Sequence, residues 1–128
     1  MTQKYIEGDV VMYDNKIMVI KEPRDGSHFD LSCPQERLVY CFVSIMDIVP
    51  IPITPEILEK NGWEPTKESL GHSFKNKEYP RFALWSINNK WSFTIDGVMV
   101  CNTLSCLCYV HELQHLLFGL NINHEIEV

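Results

Sequence analysis

Hydrophobic and polar residues alternate in short bursts over the first fifty positions. In residues 9–13, Val10 and Met12 fall on one side and Val11 and Tyr13 on the other, the period-two pattern of a strand with two usable faces. Asp14-Asn15-Lys16 supplies a turn, residues 17–21 a second strand, and Arg24-Asp25-Gly26-Ser27 another turn. Residues 28–31 and 38–43 are two further strands by the same criteria.

Pro50 and Pro52 end this run, and Thr54-Pro55-Glu56 opens a helix: a hydroxyl to cap, proline at the first helical position and an acid in the first turn. Ile57 and Leu58 give that helix its apolar side, and Asn61-Gly62 stops it. Residues 64–80 turn polar and charged with little periodicity, which predicts a surface loop. Strands resume at residues 81–87, 91–95 and 98–101, joined by Asn88-Asn89-Lys90 and Asp96-Gly97, so an antiparallel meander is expected. Trp85, Trp91 and Phe93 read as its packing residues. The strongest helical pattern covers residues 105–118 and ends at Gly119. Tyr109, Val110, Leu113, Leu116, Leu117 and Leu120 share one stripe, joined by Cys106, as in a helix laid across a sheet. A short strand closes the chain over residues 125–128. The expected fold is therefore α+β: a small SH3-like curled antiparallel sheet, a short helix, then a C-terminal antiparallel meander packed by one amphipathic helix. Residues 1–128 form one domain, with a β-rich lobe over 1–53 and a helix–meander–helix lobe over 54–128.

The chain has 128 residues, 45% of them hydrophobic, which suits one domain with an ordinary core. A net charge of −6 argues against a broad grip on phosphate backbones, so nucleic-acid binding is not expected. No apolar run reaches the length of a membrane helix, and no basic–apolar–small leader opens the sequence, so no membrane association is expected. The odd set of five cysteines, Cys33, Cys41, Cys101, Cys106 and Cys108, points to reduced thiols and a cytoplasmic location. Composition sets no oligomeric state.

One motif carries candidate chemistry. His111-Glu112-Leu113-Gln114-His115 is an H-E-x-x-H run on a helix, in which two imidazoles four residues apart can hold one Zn²⁺ while the glutamate activates its water. A zinc-dependent hydrolase would use His111 and His115 as metal ligands and Glu112 as general base. The third ligand is missing from the longer pattern, since Phe118 stands where glycine is needed and Asn121 where histidine is needed. His124, Glu125 and Glu127 are substitutes, and His72 in the polar loop could help form a cleft wall. A structural zinc site would instead add Cys108 to His111 and His115 on one helical face, without a fourth ligand or a C-x₂-C pair. Against both, the helical wheel sets His111 and His115 opposite Leu113, Leu117 and Leu120, on the face expected to meet solvent. No G-x-S-x-G elbow, phosphate-binding glycine loop or catalytic cysteine surround is present, and no cofactor other than zinc is indicated.

The segments Pro50-Ile51-Pro52-Ile53-Thr54-Pro55-Glu56-Ile57-Leu58-Glu59-Lys60-Asn61-Gly62-Trp63 and Tyr109-Val110-His111-Glu112-Leu113-Gln114-His115-Leu116-Leu117-Phe118 resemble a family of small uncharacterised proteins of phages and prophages of gut anaerobes. Gly8-Asp9-Val10-Val11 is similar to that family's first strand. The resemblance implies no activity. It implies that Val110, Leu113 and Leu117 do the packing while Glu112 and His115 are variable decoration, because related helices read like V-H-Q-L-Q-N. The expected function is that of a non-enzymatic accessory protein that binds a host protein or a small molecule. Counter-defence, including sequestration of a signalling nucleotide, is one form of it, which calls for a basic, aromatic pocket near residues 67–81. The zinc hydrolase is the alternative.

Overall fold

The computed structural model describes residues 5–66, 73–87, 90–96, 98–99, 107–122 and 124–128. The chain divides into two units, one made of residues 1–51 with 109–126 and 128, the other of residues 52–108 with 127. Among the described residues each contains a five-stranded antiparallel sheet, and helices are few, which is an α+β arrangement.

In the first unit the strands are β1 (Val10–Tyr13), β2 (Lys16–Asp25), β3 (His28–Cys33), β4 (Leu38–Ser44) and β5 (Val49–Pro50), in the order β4-β3-β2-β1-β5. The β1–β2 hairpin turns at Asp14 and Asn15, whose φ values of 53° and 60° match a type I′ turn, which asparagine and aspartate tolerate. A 3-10 turn over Ile45–Asp47, capped by the Ser44 hydroxyl, joins β4 to β5. Val11, Met18, Ile20, Phe29, Leu31, Cys33, Val43 and Ile48 form the core, the inward set that alternation in these strands predicts. β2 runs further than its sequence pattern suggests, through Pro23 and Arg24, with register shifts on both sides of Pro23.

The second unit opens with α1 (Pro55–Lys60), where Thr54 Oγ1 accepts the Ile57 N–H and Gly62 takes φ +88° just past the end. Its sheet runs β10-β9-β8-β7-β6, from β6 (Trp63–Pro65), β7 (Ser73–Asn76), β8 (Phe82–Ile87), β9 (Lys90–Ile95) and β10 (Val98–Met99). Trp63, Phe74, Leu84, Trp91 and Phe93 are buried in it. The meander of β8, β9 and β10 matches expectation; its turn residues Asn88, Asn89 and Gly97 lie outside the described residues. The expected loop over 64–80 contains β6 and β7. Only Phe74 is a large apolar residue in Ser73–Asn76, so no alternation announced a strand whose Ser73 is nevertheless buried. Residues 125–128 are not a strand. Glu127 instead exchanges two backbone hydrogen bonds with the Asn61 side chain, at 2.7 and 2.8 Å.

The C-terminal helix α2 spans Val110–Gly119, five residues shorter at its start than its wheel predicts. Leu107 forms a β-bridge with Trp91 instead, and Cys106 lies outside the described residues. α2 belongs to the first unit rather than to the meander, because the backbone of Val110 bonds to Ile51 and the side chains of Gln114 and His115 bond to residues 8–10. Periodicity shows that a helix has an apolar stripe, but it does not show which sheet the stripe covers.

Candidate functional site

Every residue of the H-E-L-Q-H run has a defined environment in the first unit. Glu112 lies in the first turn of α2, and its Oε1 accepts the Tyr109 N–H at 2.9 Å, the returning half of a capping box. Sequence spacing alone allows this carboxylate to be a general base. Its position at a helix N-terminus gives it a structural partner and a favourable dipole instead.

The prediction that His111 and His115 face solvent is overturned for His111 and met in part by His115. His111 is 2% exposed, its ring 4.9 Å from that of Tyr5 and stacked at 5.9 Å on Tyr109. Burial pushes its pKa down to about 4, aided by the charge of His115 and opposed by that of Glu112. The ring is therefore a neutral core residue at neutral pH. His115 is about one-third exposed and its Nε2 lies 2.7 Å from Asp9 Oδ2. The reason for the error is specific: α2 is covered on two sides. Val110, Leu113 and Leu117 face the apolar core, while His111 is buried against the rings of Tyr5 and Tyr109 and Gln114 against the backbone of residues 8–10. A hydropathy wheel scores histidine and glutamine as outward and misses that second face.

Asp9 is the partner that sequence reading did not find. It is 1% exposed and its Oδ2 also accepts the Ile6 N–H at 2.8 Å. Burial raises its pKa above the usual carboxylate range, outweighing the Ile6 N–H and the His115 imidazole, which both act to lower it. Tyr5 is pushed up to about 12 by burial first and by the charge of Asp9 second. Gln114, 1% exposed, completes the cluster: its Oε1 accepts the Val10 N–H at 2.8 Å, and its Nε2 donates to the carbonyls of Gly8 at 2.9 Å and His124 at 3.1 Å. The motif thus fastens α2 to the strand that opens with Gly8-Asp9-Val10. His115, which the family resemblance reads as decoration, takes part in this fastening.

Among the described residues, no three histidine, cysteine, aspartate or glutamate side chains are grouped so as to hold a metal ion. His111 and His115 are neighbours, with ring centroids 5.6 Å apart, but the nearest carboxylate at His115 is the hydrogen-bonded Asp9, and Glu112 is committed to the helix cap. Cys108 precedes α2, so the helical spacing that would align it with both histidines does not apply. His124 contributes its carbonyl to Gln114 and packs its ring edge-on against Phe118, and Glu127 contributes its backbone to Asn61. His72 lies outside the described residues. None of Cys33, Cys41 and Cys108 is in a disulfide. No helix among the described residues is long and apolar enough to cross a membrane.

In the second unit, a hollow of about 420 Å³ is lined by Glu78, Tyr79, Pro80, Arg81, Phe82 and Ile95. Tyr79 and Phe82 stack with centroids 5.5 Å apart, and Phe82 leans on Phe93 at 5.4 Å. Arg81 is held by Asp96, whose Oδ2 accepts its Nε at 2.8 Å and its Nη2 at 2.6 Å. The pocket expected near residues 67–81 can be compared only over 73–81, since 67–72 lie outside the described residues; there the hollow is aromatic but not basic, the guanidinium being matched by Asp96 and Glu78 adding a negative charge. No family model, curated protein or solved structure matches the chain.

Proposed function

We propose that the protein is a non-enzymatic accessory protein of the phage and prophage kind that its motifs resemble, working in the cytoplasm by binding a host protein or small molecule. The observation that carries this reading is the aromatic hollow of Tyr79 and Phe82. Its volume lies within the range of ligand pockets, and its walls are apolar with a few polar groups at the rim. Its charge favours an aromatic or aliphatic group that is neutral or cationic over an anionic nucleotide, so counter-defence by nucleotide sequestration is the less favoured form.

Two features add support. The first unit has the strand order β4-β3-β2-β1-β5 with a 3-10 turn before the last short strand, an arrangement consistent with the SH3-like sheets that many binding modules use. The residues of the only catalytic-looking motif are engaged in capping, packing and hydrogen bonding, which counts against the zinc hydrolase.

Native mass spectrometry of the protein after incubation with host extract, then washing, tests the reading. A bound species is expected with the wild-type chain, and Tyr79→Ala should weaken its retention by roughly tenfold, the usual effect of removing an aromatic anchor. Tyr79 is 37% exposed, so its removal leaves the sheet core intact. Equal retention by both chains, or no bound species with either, would overturn the assignment.

A further inference from the structure

Strand β4 is at the edge of the first sheet, with no strand on its outer side among the described residues. Natural sheets guard such edges with charges or proline. From Leu38 to Met46 this chain has neither. Leu38 and Val39 are each about half exposed; being consecutive in a strand, they point to opposite faces, so the edge is apolar on both sides. Met46, just beyond, is 87% exposed.

The middle of the strip is held in an unusual shape. Cys41 and Phe42 together stand opposite Asp30, a bulge that leaves Phe42 at φ +56°, a conformation that bulky residues rarely adopt. The buried Asp30 fixes it: Oδ1 accepts the Phe42 N–H at 2.9 Å, while Oδ2 accepts Arg24. Those two contacts hold the Asp30 carboxyl below the usual range, the Arg24 contribution being the larger. Phe42 is thereby turned outward, 58% exposed, with its ring stacked on His28 at 4.0 Å. Strain held in place by a buried carboxylate, ending in a displayed aromatic ring, is the pattern of a contact surface.

The charges at its ends indicate what covers it. Arg37 lies immediately before the strip and Asp47 immediately after it; both are exposed, and neither has an ion-pair partner among the described residues. We propose that β4 is the interface of a two-fold symmetric dimer, in which two copies lie antiparallel along this strip with Arg37 of each copy facing Asp47 of the other. In that arrangement the uncharged stretches meet each other, and opposite charges meet at both ends. The contact is isologous and closes at two copies. The bulge limits the regular ladder to a few residues, so side-chain packing and the end charges carry the association, which makes it concentration-dependent.

Sedimentation velocity over a wide concentration range, in reducing buffer and with circular dichroism to verify folding, tests this. A reversible dimer is expected. Val39→Lys should weaken it by about tenfold or more, since it sets a lysine on each copy into the apolar strip. Arg37→Asp and Asp47→Arg should each weaken it by setting like charges against each other, and the double variant R37D/D47R should restore it. Arg37 has φ +56°, which aspartate tolerates better than most residues, so R37D keeps the turn. A chain that stays monomeric at every concentration overturns the proposal. So does a dimer that disappears on reduction, which would be a disulfide cross-link, and so does a double variant as weak as the single ones. Tyr79 is not a residue of this strip, so ligand retention by Tyr79→Ala and dimerisation by R37D are read from separate variants.

Discussion

Replacing Gln114 with alanine is expected to lower the unfolding free energy by roughly 3 to 5 kcal/mol, the combined cost of a cavity and three stranded backbone groups. The Val10 N–H and the Gly8 and His124 carbonyls all lose their partner at a position 1% exposed. For a chain of this length the melting temperature should fall by roughly 10 to 20 °C. Gln114→Glu separates bonding from packing. The carboxylate has nearly the same shape but donates no hydrogen bond, so it faces two carbonyl oxygens that both require a donor. It should therefore destabilise nearly as much as alanine does, although it leaves no cavity. Far-UV circular dichroism is the appropriate probe, because Trp63, Trp85 and Trp91 all lie in the second unit and report on that sheet. A change within a few tenths of a kcal/mol for both variants would mean that α2 is not fastened to Gly8-Asp9-Val10 in this way.

The second large effect is a loss of stability in acid. The unfolded His111 imidazole takes up a proton near pH 6.5, while the folded one holds out until about pH 4. Between those values the unfolded chain binds more protons, so stability falls as pH falls, by up to roughly 3 kcal/mol once pH is below both values. Asp9 acts in the opposite direction. Its folded carboxyl has a raised pKa, so above the unfolded value of 3.8 the folded chain holds that proton more tightly and gains stability as pH drops. His111→Phe keeps a ring against Tyr5 and Tyr109 and removes only the first contribution. Its stability should be nearly flat, or rise slightly, from pH 6.5 down to pH 4, where the wild type declines. Chemical denaturation at several pH values measures both slopes. Parallel pH profiles would show that His111 is not a neutral buried residue.

The sequence made some of this legible and hid the rest for identifiable reasons. Turn chemistry located the Asp14-Asn15 hairpin, the Thr54-Pro55 helix start and the Asn61-Gly62 stop, because each depends on the local conformational preferences of a few residues. Alternation located β1, β3, β4, β8 and β9. What failed depended on long-range partners. The side of the chain on which α2 packs is decided by Gln114 and His115 meeting residues more than a hundred positions earlier. The single polar residue Asp9, read as part of a strand start, gave no sign that it would be buried. One signal was available: histidine and glutamine within one turn of an otherwise apolar helix can form a polar cluster in a core as readily as an outer face. Phe42 was hidden similarly, since a bulge leaves the alternation of β4 almost unchanged while reversing the direction of one side chain.

If His111-Glu112-Leu113-Gln114-His115 fastens a helix to a strand rather than binding a catalytic metal, the protein carries no stoichiometric zinc. Elemental mass spectrometry of protein purified without chelator or metal-affinity resin, alongside His111→Ala and His115→Ala, tests it most directly. No stoichiometric zinc is expected in any of the three, with both variants less stable than the wild type. Zinc at one atom per chain, lost in both variants, would contradict it and return these residues to a hydrolase site.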